Sequence, residues 1–419
     1  MPLNLIRLLA LAPAGGAVWL GIIRKLSWPF IGFLAMLSMI PSQEVTVLSS
    51  GRTLVWALGV GVIGVWSLQT LTKGKVVRIA GRPLVLIVSW ICWCAISIFW
   101  ARDEAAALSG LLALGQLLAF FVLIQVLVAT DDALRNAVAV YFWASVFVAA
   151  LTIAVSLSLG LRRAFLVDQQ NPNALARALG VGLLMTPLML RGVSRSRLRL
   201  SVVGGAAATA VAILLTGSRG SWVGLVASIA TVWLLVRSGL MRFRTAILLG
   251  IALLFGLVAL YSSGIVGDYT IRRIITLPSI EATSGWSGRT RIWSVGWEMV
   301  KHQPFAGVGL GNFPMRFDEY IEPAGQVGAV DTSRDPHNTF LSVQAETGIV
   351  GSVLFLLSWI AIFFRLVKVR GDPRGVLGLL LLVFILATGM SGTIIYMKSY
   401  WLSIGLAATI PEVIRRDAA

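Results

Sequence analysis

The stretch DTSRDPHNTFLSVQAETGIVG, Asp331–Gly351, passes within a few residues from a polar, proline-bearing turn to an apolar run. Such a run reads as the start of a membrane helix. His337, one of only two histidines in 419 residues, stands on the boundary. With Asp335 as helix N-cap and Pro336 as first helical residue, His337 falls in the first turn. The positive end of the helix dipole there disfavours imidazolium and keeps the ring able to accept a proton near neutral pH.

Outward from that boundary the chain repeats the same alternation. It is 57% hydrophobic and only 13% charged, whereas about a quarter of a soluble domain is charged. Apolar segments recur near 8–23, 26–40, 53–72, 83–101, 107–129, 137–160, 174–190, 200–216, 221–236, 245–263, 339–364, 375–390 and 396–411. Most approach the roughly twenty residues that cross a bilayer core. The expected fold is an all-α polytopic membrane protein of about twelve transmembrane helices with one large periplasmic loop. Residues 1–263 hold about nine spans, 264–338 form the loop with an amphipathic helix over 287–302, and 339–419 hold three C-terminal spans and a cytoplasmic tail.

The formal charge of +17 lies in short connections. Lys73, Lys75, Arg78 and Arg82 mark one as cytoplasmic, Arg191, Arg195, Arg197 and Arg199 a second, Arg237, Arg242 and Arg244 a third, and Arg365, Lys368, Arg370 and Arg374 a fourth. Alternation puts the 217–221 turn, the long loop and the 391–396 turn outside. Twelve spans with both ends cytoplasmic follow if the first two candidates make a single crossing, thirteen if they do not. The long loop carries seven Lys/Arg against eight Asp/Glu. With no basic tail either, a nucleic-acid partner is not expected. Cys92 and Cys94 read as packing residues within an apolar segment, and no cleavable signal peptide is recognised.

The chain shows no P-loop, no Asp-x-Asp, no His-Glu-x-x-His and no cysteine cluster. GVGLGNF, Gly307–Phe313, reads as a tight turn rather than a dinucleotide fingerprint. Isolated polar groups on the outer side carry the functional signal. Arg219 lies between two apolar segments, flanked by Gly217 and Gly220, where a charge marks a functional path. Arg289 is expected to open the amphipathic helix with Ser287 as N-cap, which makes an anion site. The helix's apolar face, Ile292, Trp293, Gly296, Trp297 and Val300, suits the membrane interface. DQQNPNALAR, Asp168–Arg177, repeats the polar turn before a helix and brings Asn173 and Arg177 to the outer side. Lys398 and Glu346 lie in apolar segments and read as paired structural charges, and His302 as structural. Arg291, Asn173, Arg177, Asn338 and Lys398 are secondary candidates for holding pyrophosphate or sugar.

GSRGSWVGL, GRTRIWSVGWEMVKHQPFAGVGLGNF and PHNTFLSVQAETGIVG follow one another around the loop. Together, over residues 216–351, they resemble the O-antigen ligase and polymerase superfamily of Gram-negative inner membranes. The family's motif positions fall on Arg219, Arg289 and His337. The resemblance implies a GT-C-like glycosyltransferase of the inner membrane, its site facing the periplasm. Its implied donor is O-antigen on undecaprenyl pyrophosphate, its acceptor the lipid A–core, and it needs no metal or nucleotide cofactor. In the mechanism expected on this basis, His337 is the base of an inverting displacement, while Arg219 and Arg289 bind the pyrophosphate. A polymerase joining carrier-linked repeat units is the rival within the class. A transporter or flippase is the rival outside it, and no inverted repeat supports that one.

Overall fold

The computed structural model describes residues 12–42, 59, 61–62, 64, 81–161, 163–165, 171–191, 193–235, 284–325 and 335–418, with backbone alone for 284–288. The segment expected at 245–263, most of that at 53–72, and the basic residues Lys73, Lys75, Arg78, Arg237, Arg242 and Arg244 lie outside the described residues. Among the described residues there is no strand. The helices are α1 (Ala12–Ile23), α2 (Trp28–Met39), α3 (Gly81–Ile96), α4 (Glu104–Leu127), α5 (Asp131–Leu159), α6 (Pro172–Leu184) and α7 (Thr186–Leu190). They continue with α8 (Ser196–Thr216), α9 (Arg219–Leu235), α10 (Ser284–His302), α11 (Phe313–Arg316), α12 (Thr339–Lys368), α13 (Pro373–Gly389) and α14 (Lys398–Asp417).

Six stretches of described helix are long and apolar enough to cross a bilayer: Gly81–Trp100, Glu104–Leu127, Asp131–Leu159, Pro172–Leu190, Ser196–Thr216 and Thr339–Lys368. The chain is a multi-pass helical membrane protein. Helices α9 and α13 are shorter, 17 residues each, about 25 Å at the helical rise. The first two candidates correspond to two helices of 12 residues each. Helices α1 and α2 form a hairpin, with Gly21 packed on Ile31 and the turn at Arg24 reaching Asn136 of α5.

The helices alternate between two ends. At one end Arg374 bonds Asp372, Asp131 and Asp417, Arg365 pairs with Glu412, and Arg416 donates to the Ala129 carbonyl at 3.0 Å. These pairs clasp the starts of α5 and α13 to the ends of α12 and α14. Arg191 lies 3.8 Å from Asp372, so the connections marked by Arg191–Arg199 and Arg365–Arg374 are at the same end, as the charge rule requires. The opposite end carries the α3–α4 turn, the α8–α9 turn, α10, the start of α12 and the α13–α14 turn.

Helix α12 is broken at Gly348 (φ 62°, ψ −168°). A break releases carbonyls that the helix would otherwise pair, and these must find other donors. The segment after α10 supplies them. Val308 N–H donates to the Ala345 carbonyl at 2.8 Å and Gly309 N–H to that of Glu346 at 2.9 Å. The Trp93 indole donates to the Thr347 carbonyl at 2.8 Å. The buried Glu346 carboxylate accepts from Gly311 N–H at 3.0 Å and Phe313 N–H at 3.4 Å. GVGLGNF is therefore a tight turn, with positive φ at Gly307, Gly309 and Gly311, wedged into the break. Its far side is tied down by Glu319, which bonds Arg102 and Arg316. Desolvation acts against that carboxylate, but the hydrogen bonds and charges of Arg316 and Arg102 hold it below the ordinary carboxylate range.

A Cβ on Gly348 would stand 2.2 Å from the Phe305 carbonyl oxygen. The positive φ alone costs a side chain about 1–3 kcal/mol. Gly348→Ala should therefore lower the thermal midpoint of the detergent-solubilised protein; an unchanged midpoint would show that the break and its wedge contribute little to stability.

Candidate active site

His337 does not lie in the first turn of α12. The N-cap is Asn338, whose side chain accepts from Phe340 N–H at 3.0 Å and Leu341 N–H at 3.2 Å. Asn338, expected as a substrate contact, thus spends its carboxamide oxygen on the helix. Asp335 is not the cap either. It accepts the His337 backbone N–H at 2.9 Å and the Thr393 hydroxyl at 2.6 Å. His337 takes φ +48°, in the left-handed region that few side chains visit. Such a conformation persists only where neighbours hold it. Here the Trp293 indole of α10 also donates to the Pro336 carbonyl at 2.8 Å. The imidazole Nδ1 lies 3.6 Å from Asp335 Oδ2, and the side chain is 27% exposed.

The α13–α14 turn joins this segment to the arginines. Gly392 carbonyl accepts the Thr339 hydroxyl at 2.7 Å. Ser391 carbonyl accepts Arg177 Nη2 at 3.2 Å, and Met397 sulfur lies 3.6 Å from Arg177 Nη1. A Cβ on Gly392 would meet Arg177 Nη2 at 2.0 Å, and one on Gly220 would meet Ser391 Oγ at 2.0 Å. The glycine after Arg219 therefore abuts the turn that Arg177 holds.

Arg177 is 5% exposed. Among the described residues no carboxylate lies within ion-pair distance of it. It lies within electrostatic reach of both Arg289 and Asp335. Two guanidiniums that feel each other in a partly dry setting repel, and an anion between them relieves the repulsion.

The expected helix-terminus device belongs to a different arginine. Helix α10 begins at Ser284, not 287, so Arg289 lies in its second turn. Arg219 is the first residue of α9, at the positive end of the helix dipole. Arg291 is exposed and Lys398 opens α14 beside Met397. The apolar face of α10 turns into the protein rather than to lipid. Ile292 and Val300, with Val295 and Met299, pack on Val308, Phe313 and Phe317, and Gly296 sits on Phe313 and Leu341. Trp297 remains 56% exposed.

Asn173 follows the N-cap Asn171 and Pro172 of α6. It accepts Arg163 Nη2 at 3.1 Å, while Arg163 Nε donates to the Thr216 carbonyl at 2.9 Å. Sequence reasoning missed Arg163, although the signal existed: basic residues in a connection assigned to the outer side break the charge rule. It also read Asp335 as a cap. Among the described residues no group of three His, Cys, Asp or Glu side chains is placed to hold a metal.

Arg219, Arg289, His337 and Glu346 all fall within one matched segment. Residues 204–356 match the family model described as O-antigen ligase. The similarity to that family spans less than half of the chain. Arg177 and Lys398 lie outside the matched segment. No curated protein matches the chain.

Burying a charge costs several kcal/mol, and a lost hydrogen bond to the Ser391 carbonyl returns only about 1–3 kcal/mol of that. Arg177→Met should therefore unfold at or above the wild-type temperature. A clearly lower midpoint would assign the guanidinium to holding the fold.

Proposed function

We propose that the chain is a glycosyltransferase of the inner membrane with its site open to the periplasm. It would move O-antigen from undecaprenyl pyrophosphate to a sugar hydroxyl of the lipid A–core. The observation that carries this reading is Arg177, a buried guanidinium in reach of a second one, gathered with a histidine at one end of an apolar bundle. That combination suits a lipid-borne diphosphate beside a base. The O-antigen ligase family match agrees with it.

The proposed step is one inverting displacement. His337 accepts the acceptor hydroxyl's proton, through Nε2 because Nδ1 lies beside Asp335. The oxygen attacks the anomeric carbon, and the bond from that carbon to the phosphate oxygen breaks. The electron pair leaves with undecaprenyl pyrophosphate. Arg177, Arg219 and Arg289 hold the diphosphate and stabilise the charge that grows on it. Arg291, Asn173, Arg163 and Lys398 line the approach for sugar or phosphate. The apolar helices take the polyprenyl chain.

Purified protein with carrier-linked donor and lipid A–core should form product without ATP or added metal. Product made only from two carrier-linked units would turn the reading to a polymerase; lipid movement without a new glycosidic bond would turn it to a transporter. In the same assay His337→Ala should lose transfer by about 10²-fold or more while its level in the membrane persists. Near-normal transfer removes the base assignment. Arg219→Lys, a point charge without the bidentate fork, should cost at least about tenfold, the size of one charged hydrogen bond. Wild-type rates in that variant would take Arg219 out of the diphosphate site.

A further inference from the structure

We infer that Asp335 is the positioning residue for His337, and that Thr393 anchors it; the inference rests on the base assignment above. A base must present one nitrogen to the acceptor hydroxyl and hold the other still. Nothing in the His337 side chain itself does so, and its own backbone sits at φ +48°. Asp335 supplies both restraints. One carboxylate oxygen accepts the His337 backbone N–H and the Thr393 hydroxyl. The other faces His337 Nδ1 at 3.6 Å. That separation is within ion-pair reach but too long for a hydrogen bond, and such contacts tighten when substrate binds.

The arrangement assigns a tautomer. A carboxylate beside Nδ1 favours a proton there and leaves Nε2 as the acceptor. As the hydroxyl proton moves to Nε2, the ring becomes a cation. The negative charge of Asp335 then stabilises that cation without itself taking a proton. Thr393 matters because it lies on the α13–α14 turn, the turn that also holds Arg177 through the Ser391 carbonyl. The base and the diphosphate site therefore share one support, and their separation is set by three residues of that turn.

Asp335 has two jobs that substitutions separate. Asparagine keeps an oxygen to accept from His337 N–H and Thr393 and loses the charge. Glutamate keeps the charge on a longer arm. In reconstituted transfer, Asp335→Asn should lower kcat by roughly 10- to 100-fold, the range for losing a partner that orients a working histidine, with KM for the donor within about threefold of wild type. Asp335→Glu should retain more activity than Asp335→Asn. Thr393→Val, which frees the carboxylate from its anchor, should lower kcat several-fold with membrane levels unchanged. If Asp335→Asn transfers at the wild-type rate while His337→Ala is inactive, the inference is overturned and the base stands. If Asp335→Asn outperforms Asp335→Glu, the aspartate serves only as an acceptor for the turn, and the inference is likewise overturned. If His337→Ala itself remains active, the base assignment fails and the inference goes with it.

Discussion

Arg177 sits almost wholly inside an apolar bundle, and its described partners are a backbone carbonyl and a thioether. A charge in that position is expensive, and lipid offers it nothing. The rest of the site end is arranged around this constraint. The α13–α14 turn runs beneath the guanidinium with glycine at 392, where any side chain would strike it. Gly220 lets the start of α9 come down onto Ser391 of the same turn. Thr339 and Thr393 tie the segment bearing His337 to it from the other side. A cationic centre is thereby ringed by the starts of four helices.

The broken helix α12 is the second element of the design. Without the break at Gly348 there would be no free carbonyls to dock the glycine turn, and the turn is what seats α10. Helix α10 in turn brings the Trp293 indole to the Pro336 carbonyl and Arg289 within reach of Arg177. Glu346, about two helical turns into α12, accepts from backbone N–H groups and so belongs to this scaffold. The loop that precedes the histidine in sequence thus also positions it in space.

Much of this could be read in the residues. Apolar runs separated by basic connections gave the helical class, and the bounds expected at 339–364 and 375–390 are close to those of α12 and α13. The GVGLGNF turn was legible because three glycines at alternate positions serve a tight backbone better than a nucleotide. What failed was local and hinged on caps. Asp335, Pro336 and His337 fit a helix start by composition, but Asn338 competes for the same role and wins with two N–H partners. Asp335, released from capping, turns back on His337. The apolar face of α10 was right by period and wrong by partner, because spacing does not say whether protein or lipid covers a face. The contact between Gly220 and Ser391 joins residues distant in sequence, and no local pattern announces it.

The central claim is that the site end recognises a lipid-borne diphosphate. It is tested most directly by comparing how the wild-type protein in detergent binds undecaprenyl pyrophosphate and undecaprenol, which share a chain and differ only in the head. The account predicts binding of the pyrophosphate at least about a hundredfold tighter, the worth of two charged hydrogen bonds. Equal affinity for the two lipids would mean that the arginines do not hold the diphosphate, and the account would be wrong.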